Sequence, residues 1–353
     1  MKRLICLLLA LVLPVLFLRG AFSESFQETV PEAPPEYTPE PTPEPTPQPT
    51  PVPTRVPDWF IPPKEPVRVF FDDETDPFPA DAELLTLYVF PIQGADCMLL
   101  TYKGHTMLVD AGRPTQAEEV QGTLKSLGLS SVDYLFSTHP HSDHIGGVVP
   151  LIDSGFGIGT FFTVFPHDYV ENYNAYDYYG ETLRALDKAK IPVKDLKTED
   201  KIPFGGADIT VMRIPDNYLY EGLTCNEMAA MLMVKLGDCS MLLTADVEPS
   251  GDSQKLLARL YDLKADILKY PHHGMSIMAA DFMREVDPEY SFFTHGAGNT
   301  RDAQALLIHN GFTRMSFATW GLITIQTDGT KWIVHQDIFP EMAEVAETYR
   351  YPD

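Results

Sequence analysis

From about Val67 the chain alternates short apolar runs with polar breaks. LLTLYVF (84–90), CMLLTY (97–102) and HTMLVD (105–110) are apolar and β-branched, interrupted by Gly, Asp or Lys, and predict consecutive strands. TQAEEVQGTLKSLGL (115–129) places its apolar residues at helical spacing and ends in a Gly-containing turn, whereas VDYLFST (132–138) predicts a buried strand. Further helices are expected near 178–189, 250–262, 277–285 and 301–310. Strands are expected near 208–214, 228–236, 239–244, 265–270, 290–295, 313–317, 321–326 and 331–335. Runs of strands interspersed with helices suggest two sheets with helices outside them. The two halves look loosely alike, each passing through strands and a helix to a strand that ends in histidines.

The N-terminal pattern is different. Met1, Lys2 and Arg3 precede an apolar run of fifteen residues, and AFS ends at Ser23, so residues 1–23 are expected to be an export signal. The run is short for a membrane span and contains Pro14, although an uncleaved, anchoring signal stays open as the alternative. Residues 24–66 are a Pro/Thr/Glu-rich linker with few apolar side chains, expected to be an extended spacer that holds a domain away from a membrane or wall. The folded domain is expected over 67–340, followed by a C-terminal tail, 341–353. The protein is therefore expected to be secreted or extracellular.

Net charge over the 353 residues is −24, and residues 67–353 hold 42 of the 50 acidic residues against 21 of the 26 basic ones. An acidic surface repels polyanions, so gripping of long nucleic acid is disfavoured, while a local cationic site such as a metal ion is not. Once Cys6 leaves with the signal, Cys97, Cys225 and Cys239 remain. This odd, sparse count argues against a disulfide framework and reads as small buried side chains, with one disulfide plus a free thiol as the alternative.

The chemistry concentrates in STHPHSDHIGG (137–147). His139 and His141 flank one residue, so on an extended stretch both imidazoles can reach one ion. Asp143 and His144 follow on a turn and can reach a second. Gly146 and Gly147 let the backbone pass close to the site. Asp246 in LLTADVE and the pair His272 and His273 in ADILKYPHHG again lie at ends of apolar strands, and Asp246 could bridge two ions. Imidazole and carboxylate suit zinc, with manganese or iron as alternatives. The Tyr-rich stretch YVENYNAYDYYG (169–180) could offer aromatic faces to a cation or a base.

In order, LVDAG (108–112), STHPHSDHIGG, LLTADVE and PHHG resemble the motifs of the metallo-β-lactamase superfamily over about residues 84–335. More narrowly, VFPIQGADCMLLTYKGHTMLVDAG, CNEMAAMLMVKLGDCSMLLTADVE, ADILKYPHHG and GLITIQTDG are similar to the extracellular hydrolase domain of ComEC-type DNA-uptake proteins and to secreted phosphorylcholine esterase-like relatives. The resemblance implies an α/β fold, a four-layer αββα sandwich, with one or two zinc ions at a sheet edge.

It further implies that His139 and His141 bind one metal, that Asp143 and His144 bind another, and that Asp246 bridges. His272 aligns best with the last histidine ligand, and His273 would be a ligand or a phosphate contact. Asn226 falls where many members have a further His ligand. Asp110 would orient a ligand, and Gln93, Gly94 and Asp96 would line the site. Asp143, His273 and Asn226 are the catalytic candidates, with His273 or Lys269 stabilising charge on the leaving side.

Two departures stand out: IQGAD replaces the family's GQGDA, and NTRD (299–302) replaces YGHP, leaving His295 as a candidate substitute for its histidine. The expected activity is an exported, metal-dependent hydrolysis of small-molecule or cell-surface phosphodiesters by metal-activated hydroxide. Hydrolysis of a lactam, lactone or thioester on the same site, and a non-catalytic surface protein with a structural metal, remain the alternatives.

Overall fold

The computed structural model describes residues 67–170, 176–219 and 222–350, so the expected signal and linker lie outside the described residues. Strands in chain order are β1 (Val69–Phe71), β2 (Leu85–Val89), β3 (Met98–Tyr102), β4 (His105–Val109), β5 (Ser131–Phe136), β6 (Gly157–Thr163), β7 (Val193–Asp195) and β8 (Lys201–Phe204). They continue with β9 (Ala207–Met212), β10 (Met231–Leu236), β11 (Cys239–Leu243), β12 (Ile267–Lys269), β13 (Tyr290–Phe293), β14 (Met315–Phe317), β15 (Gly321–Thr327) and β16 (Trp332–Ile338).

They form two sheets, ordered β1-β16-β15-β2-β3-β4-β5-β6-β7 and β14-β13-β12-β11-β10-β9-β8. Longer helices cover Ala117–Ser126, Tyr178–Ala189, Ser253–Leu260, Ala280–Val286, Arg301–His309 and Ala343–Arg350. The last of these runs beyond 340, and its Ala346 is buried in a core cluster of the second sheet and its helices. Among the described residues, no helix is long and apolar enough to cross a membrane.

The period-2 geometry of strands explains the layers. In β10, Leu232 and Val234 join the core that contains both sheets, while Met231 and Met233 join the core shared with the outer helices. Met241 and Leu243 face one way in β11 and Leu242 the other. Strands covered on both faces must be apolar on both, so these runs lack the in–out alternation of a solvated sheet. On the first sheet, Val120 and Leu124 of Ala117–Ser126 and Leu186 of Tyr178–Ala189 join the inter-sheet core cluster. The arrangement is the αββα sandwich.

Two parallel runs place the site. β4, β5 and β6 are mutually parallel in the first sheet, as are β11, β12 and β13 in the second. Parallel neighbours finish at the same edge, so residues distant in sequence converge there. The segments that follow β4, β5, β11 and β12 carry Asp110, His139, Asp246 and His273.

Candidate metal centre

After β5 the chain passes His139, bends at Pro140, is extended at His141 and turns into a short helix, Ser142–Ile145. The turn is clamped to the segment after β4: Ala111 N donates to His144 O at 2.6 Å and Gly147 N to Gly112 O at 2.9 Å. Gly146 and Gly147 have ordinary helical φ values, so left-handed freedom is not why they are glycines. A Cβ on Gly147 would stand 2.0 Å from Ala111 O, and one on Gly146 would stand 2.2 Å from Ser142 O. Close backbone approach is what needs them.

Asp96, His144, Asp246 and His273, all buried, offer ligand atoms within 4.8 Å of one another. His144 Nε2 and His273 Nε2 each lie 3.2 Å from Asp246 Oδ2. Two ligand atoms about 2.1 Å from one tetrahedral ion stand roughly 3.4 Å apart, so these separations suit a shared cation. His144 Nε2, His273 Nε2 and Asp246 Oδ1 are buried without a directed hydrogen bond. Such groups are costly unless satisfied, and a divalent ion satisfies them together.

The remaining ring nitrogens are held from behind. His144 Nδ1 is 2.7 Å from Asp110 Oδ2, and His273 Nδ1 is 3.0 Å from Asp96 Oδ1 and 2.9 Å from Thr294 Oγ1. Thr138 donates its N–H and its hydroxyl to Asp110, at 2.9 and 2.7 Å. Carboxylate behind histidine orients the ring and raises its basicity.

The electrostatics favour a cation. Burial alone would raise the Asp246 carboxyl, but the charges of His144 and His273 hold it well below the usual range. Burial would likewise lower His273, yet the carboxylates of Asp246 and Asp96 push it up to about 10, and His144 is also raised well above its ordinary value. His139 is driven the other way, by burial and then by the charge of His144. Lys269, expected near the leaving group, is fully buried beneath the cluster. Its Nζ lies 2.5 Å from Asp96 Oδ2 and donates to Ala245 O at 2.7 Å, so it neutralises Asp96 instead.

A second group lies alongside. His139 Nε2 and His141 Nδ1 are 3.2 Å apart, and His141 Nε2 is 2.9 Å from Cys225 Sγ. These three residues also offer ligand atoms within 4.8 Å of one another. Cys225 was read from the sequence only as a small buried side chain. Its position one residue before Asn226, where the resemblance expects a ligand, was the available signal. Asn226 donates its amide NH2 to Glu248 Oε1 at 3.0 Å, while its Oδ1 is buried without a directed hydrogen bond at the edge of the cleft.

Of the two neighbouring histidines, His272 aligns best with the last ligand and His273 is expected as a ligand or a phosphate contact; the geometry separates them. His273 enters the buried group, whereas His272 keeps about a fifth of its side chain exposed and pairs with Glu248 Oε1 at 2.7 Å. The reason is local: His272 and His273 both take left-handed conformations, with φ of 49° and 55°, so the chain swings out and back within two residues. Asp110 and Ala245 are left-handed as well. Non-glycine residues rarely adopt this region, and its concentration here marks backbone held by the surrounding structure.

Asp143 sits at the mouth, 3.7 Å from His273 Nε2 and ion-paired to Arg113 at 2.9 Å. Arg113, which no motif in the sequence singles out, also donates to Gly94 O at 2.8 Å. Both border a cleft of about 730 Å³ with His141, Cys225, Asp246 and Glu248. Of the Tyr-rich stretch, Tyr169 lines the cleft, but Tyr179 is a structural residue: it is buried and its hydroxyl donates to Phe165 O at 2.8 Å.

Residues 92–295 match the family model described as the metallo-beta-lactamase superfamily. The chain is 24% identical over 179 residues to ComE operon protein 3 of Bacillus subtilis, covering 50% of this chain and 21% of that protein. It is 26% identical over 129 residues to ribonuclease Z of Archaeoglobus fulgidus, covering 34% of this chain and 38% of the relative. The chain thus spans well under half the length of these relatives. Among solved structures, a B3 metallo-beta-lactamase with an active-site glutamic acid aligns with TM-score 0.40 and 15% identity, over 67% of this chain and 92% of that one. The metallo-beta-lactamase fold protein YhfI from Bacillus subtilis aligns with TM-score 0.42 and 15% identity, over 69% of this chain and 96% of that one.

Proposed function

Because the chain belongs to the metallo-beta-lactamase superfamily, we propose that it is a metal-dependent hydrolase whose substrates are phosphodiesters and which acts outside the cytoplasm. The superfamily and the buried His/Asp cluster support metal-dependent hydrolysis. Arg113 carries the narrower reading. It is the one Arg or Lys among the described residues lining the cleft, and it stands beside the cluster with its guanidinium partly exposed. A planar fork of donors next to a metal pair suits a phosphoryl group better than a neutral carbonyl. Two of the relatives that the chain matches are named ribonuclease Z, which favours the same bond type. Export rests on the basic and apolar pattern of residues 1–23.

His139, His141, His144, Asp246 and His273 would hold the metal ions, with zinc the best fit to imidazole plus carboxylate. Bound there, the ions would lower the pKa of water and polarise a substrate oxygen. The protein's own residues do the rest. Asp110 and Asp96 fix the rings of His144 and His273, and Asp143 at the cleft mouth can orient an attacking water through its carboxylate. Arg113 positions the substrate anion, and His272, about a fifth exposed at the cleft and paired with Glu248, can supply a proton to the departing oxygen.

The test is turnover of bis-p-nitrophenyl phosphate and of a chromogenic β-lactam by the purified protein, before and after chelation, with metal content measured in parallel. Chelator-sensitive cleavage of the phosphodiester alone is the expected result. Arg113→Ala should then raise KM about 10-fold or more, in line with loss of a hydrogen bond to a charged group worth roughly 1.5–3 kcal/mol. Turnover of the lactam alone would overturn the substrate class.

A further inference from the structure

The two ligand groups differ in kind. Asp96, Asp246, His144 and His273 supply oxygen and nitrogen, whereas His139, His141 and Cys225 supply two nitrogens and a sulfur. We propose that Cys225, as its thiolate, is the third protein ligand of the ion held by His139 and His141, making this position a bis-histidine–cysteine site that selects a thiophilic divalent metal. The inference rests on the metal-binding reading of the site and deepens it.

Four observations carry the assignment. Cys225 Sγ lies 2.9 Å from His141 Nε2, His141 Nδ1 lies 3.2 Å from His139 Nε2, and one ligand atom from each of the three falls within 4.8 Å of the others. The thiol is almost fully buried yet borders the cleft, so an ion entering from the cleft meets it directly.

The segment is pre-shaped. Thr224 N and Oγ1 donate to Glu227 Oε2, Met228 N donates to Thr224 O, and Ala230 N donates to Thr138 O at 3.1 Å, next to His139. The neighbouring Asn226 has its NH2 committed to Glu248, and its Oδ1, a hard neutral donor, is a poorer match for a thiophilic ion than a thiolate. A carboxylate can only accept, so the amide NH2 must face Glu248.

Binding releases the thiol proton to solvent, and the thiolate donates its pair to the metal. Soft thiolate favours zinc, cadmium or cobalt over manganese or magnesium, whereas the carboxylate-rich neighbour tolerates harder ions. The two positions should therefore load differently.

Cobalt titration of the metal-free full chain tests this without reference to activity. Wild type should take up a second equivalent accompanied by a near-ultraviolet sulfur-to-cobalt charge-transfer band, and bound metal should slow alkylation of Cys225. Cys225→Ser should abolish the band and weaken the second equivalent by about 100-fold or more, beyond the 10–100-fold seen for residues that only support ligands. Cys225→His should restore the second equivalent without the band.

Two equivalents with no band, and an unchanged titration for Cys225→Ser, would overturn the thiolate assignment while leaving the metal centre standing. Loss of the second equivalent in Asn226→Ala but not in Cys225→Ser would transfer the role to the amide. Absence of any cobalt binding would remove both this proposal and the metal-binding reading beneath it.

Discussion

Asp110 does its work one bond away from the ligands. Its carboxylate holds His144 Nδ1 at 2.7 Å while Thr138 holds the carboxylate by two donors. Asp110→Asn should leave the fold intact but lower metal affinity by about 10–100-fold, measured by competition with a chelator.

The same cluster sets a pH dependence. His144 and His273 have raised pKa values in the metal-free protein, so the stability their protonation contributes is fully present below the ordinary value of 6.5. It is lost as pH climbs through the raised values, about 10 for His273. Metal needs those nitrogens unprotonated, so its apparent affinity should rise over the same interval. Melting curves of chelated protein should therefore fall in Tm from neutral pH upward, while the increment on adding zinc grows. A zinc increment that shrinks with rising pH would contradict the arrangement.

At the scale of elements, the site depends on how tightly the Ser142–Ile145 turn is pressed on the segment after β4. Gly147→Ala would drive a methyl into Ala111 O. It should cost about 1–3 kcal/mol, read by denaturant unfolding, and should impair metal binding through displacement of His144.

Most elements here were legible in the hydrophobic pattern. The strands over 85–109, the helix at 178–189 and the apolar runs ending at Asp246 and His273 lie where period and composition indicate. The strands that escaped the sequence reading are β1, β6, β7 and β8. Three of these have only three or four residues, and β6, GIGTFFT, opens on two glycines that weaken a strand signal. The helix Ala343–Arg350 falls where a C-terminal tail is expected.

For the whole molecule, charge is the governing feature. Residues 67–353 carry twice as many acidic as basic residues, yet Arg113 stands in the cleft beside the buried cluster. Such a surface should reject long duplex DNA while a short phosphodiester reaches the cleft. Gel-shift or anisotropy measurements with duplex DNA should show no binding at physiological salt, and turnover of bis-p-nitrophenyl phosphate should change little with ionic strength. Strong, salt-sensitive duplex binding would point instead to a basic track that the sequence does not display.

The sequence by itself determined the layered α/β architecture and placed the metal-ligand residue types at strand ends. Strand and helix periods are local properties, and four ligand-type residues in six positions after a buried strand leave little room for another reading. What only the tertiary structure decided was which atoms meet. His273 enters the cluster and His272 turns to Glu248 because two adjacent residues are left-handed, a backbone choice imposed by packing. Cys225 meets His141 across 84 positions of chain, and Lys269 of β12 pairs with Asp96, which follows β2 in the other sheet. No spacing along the sequence encodes those distances. They follow from how two sheets close on one another.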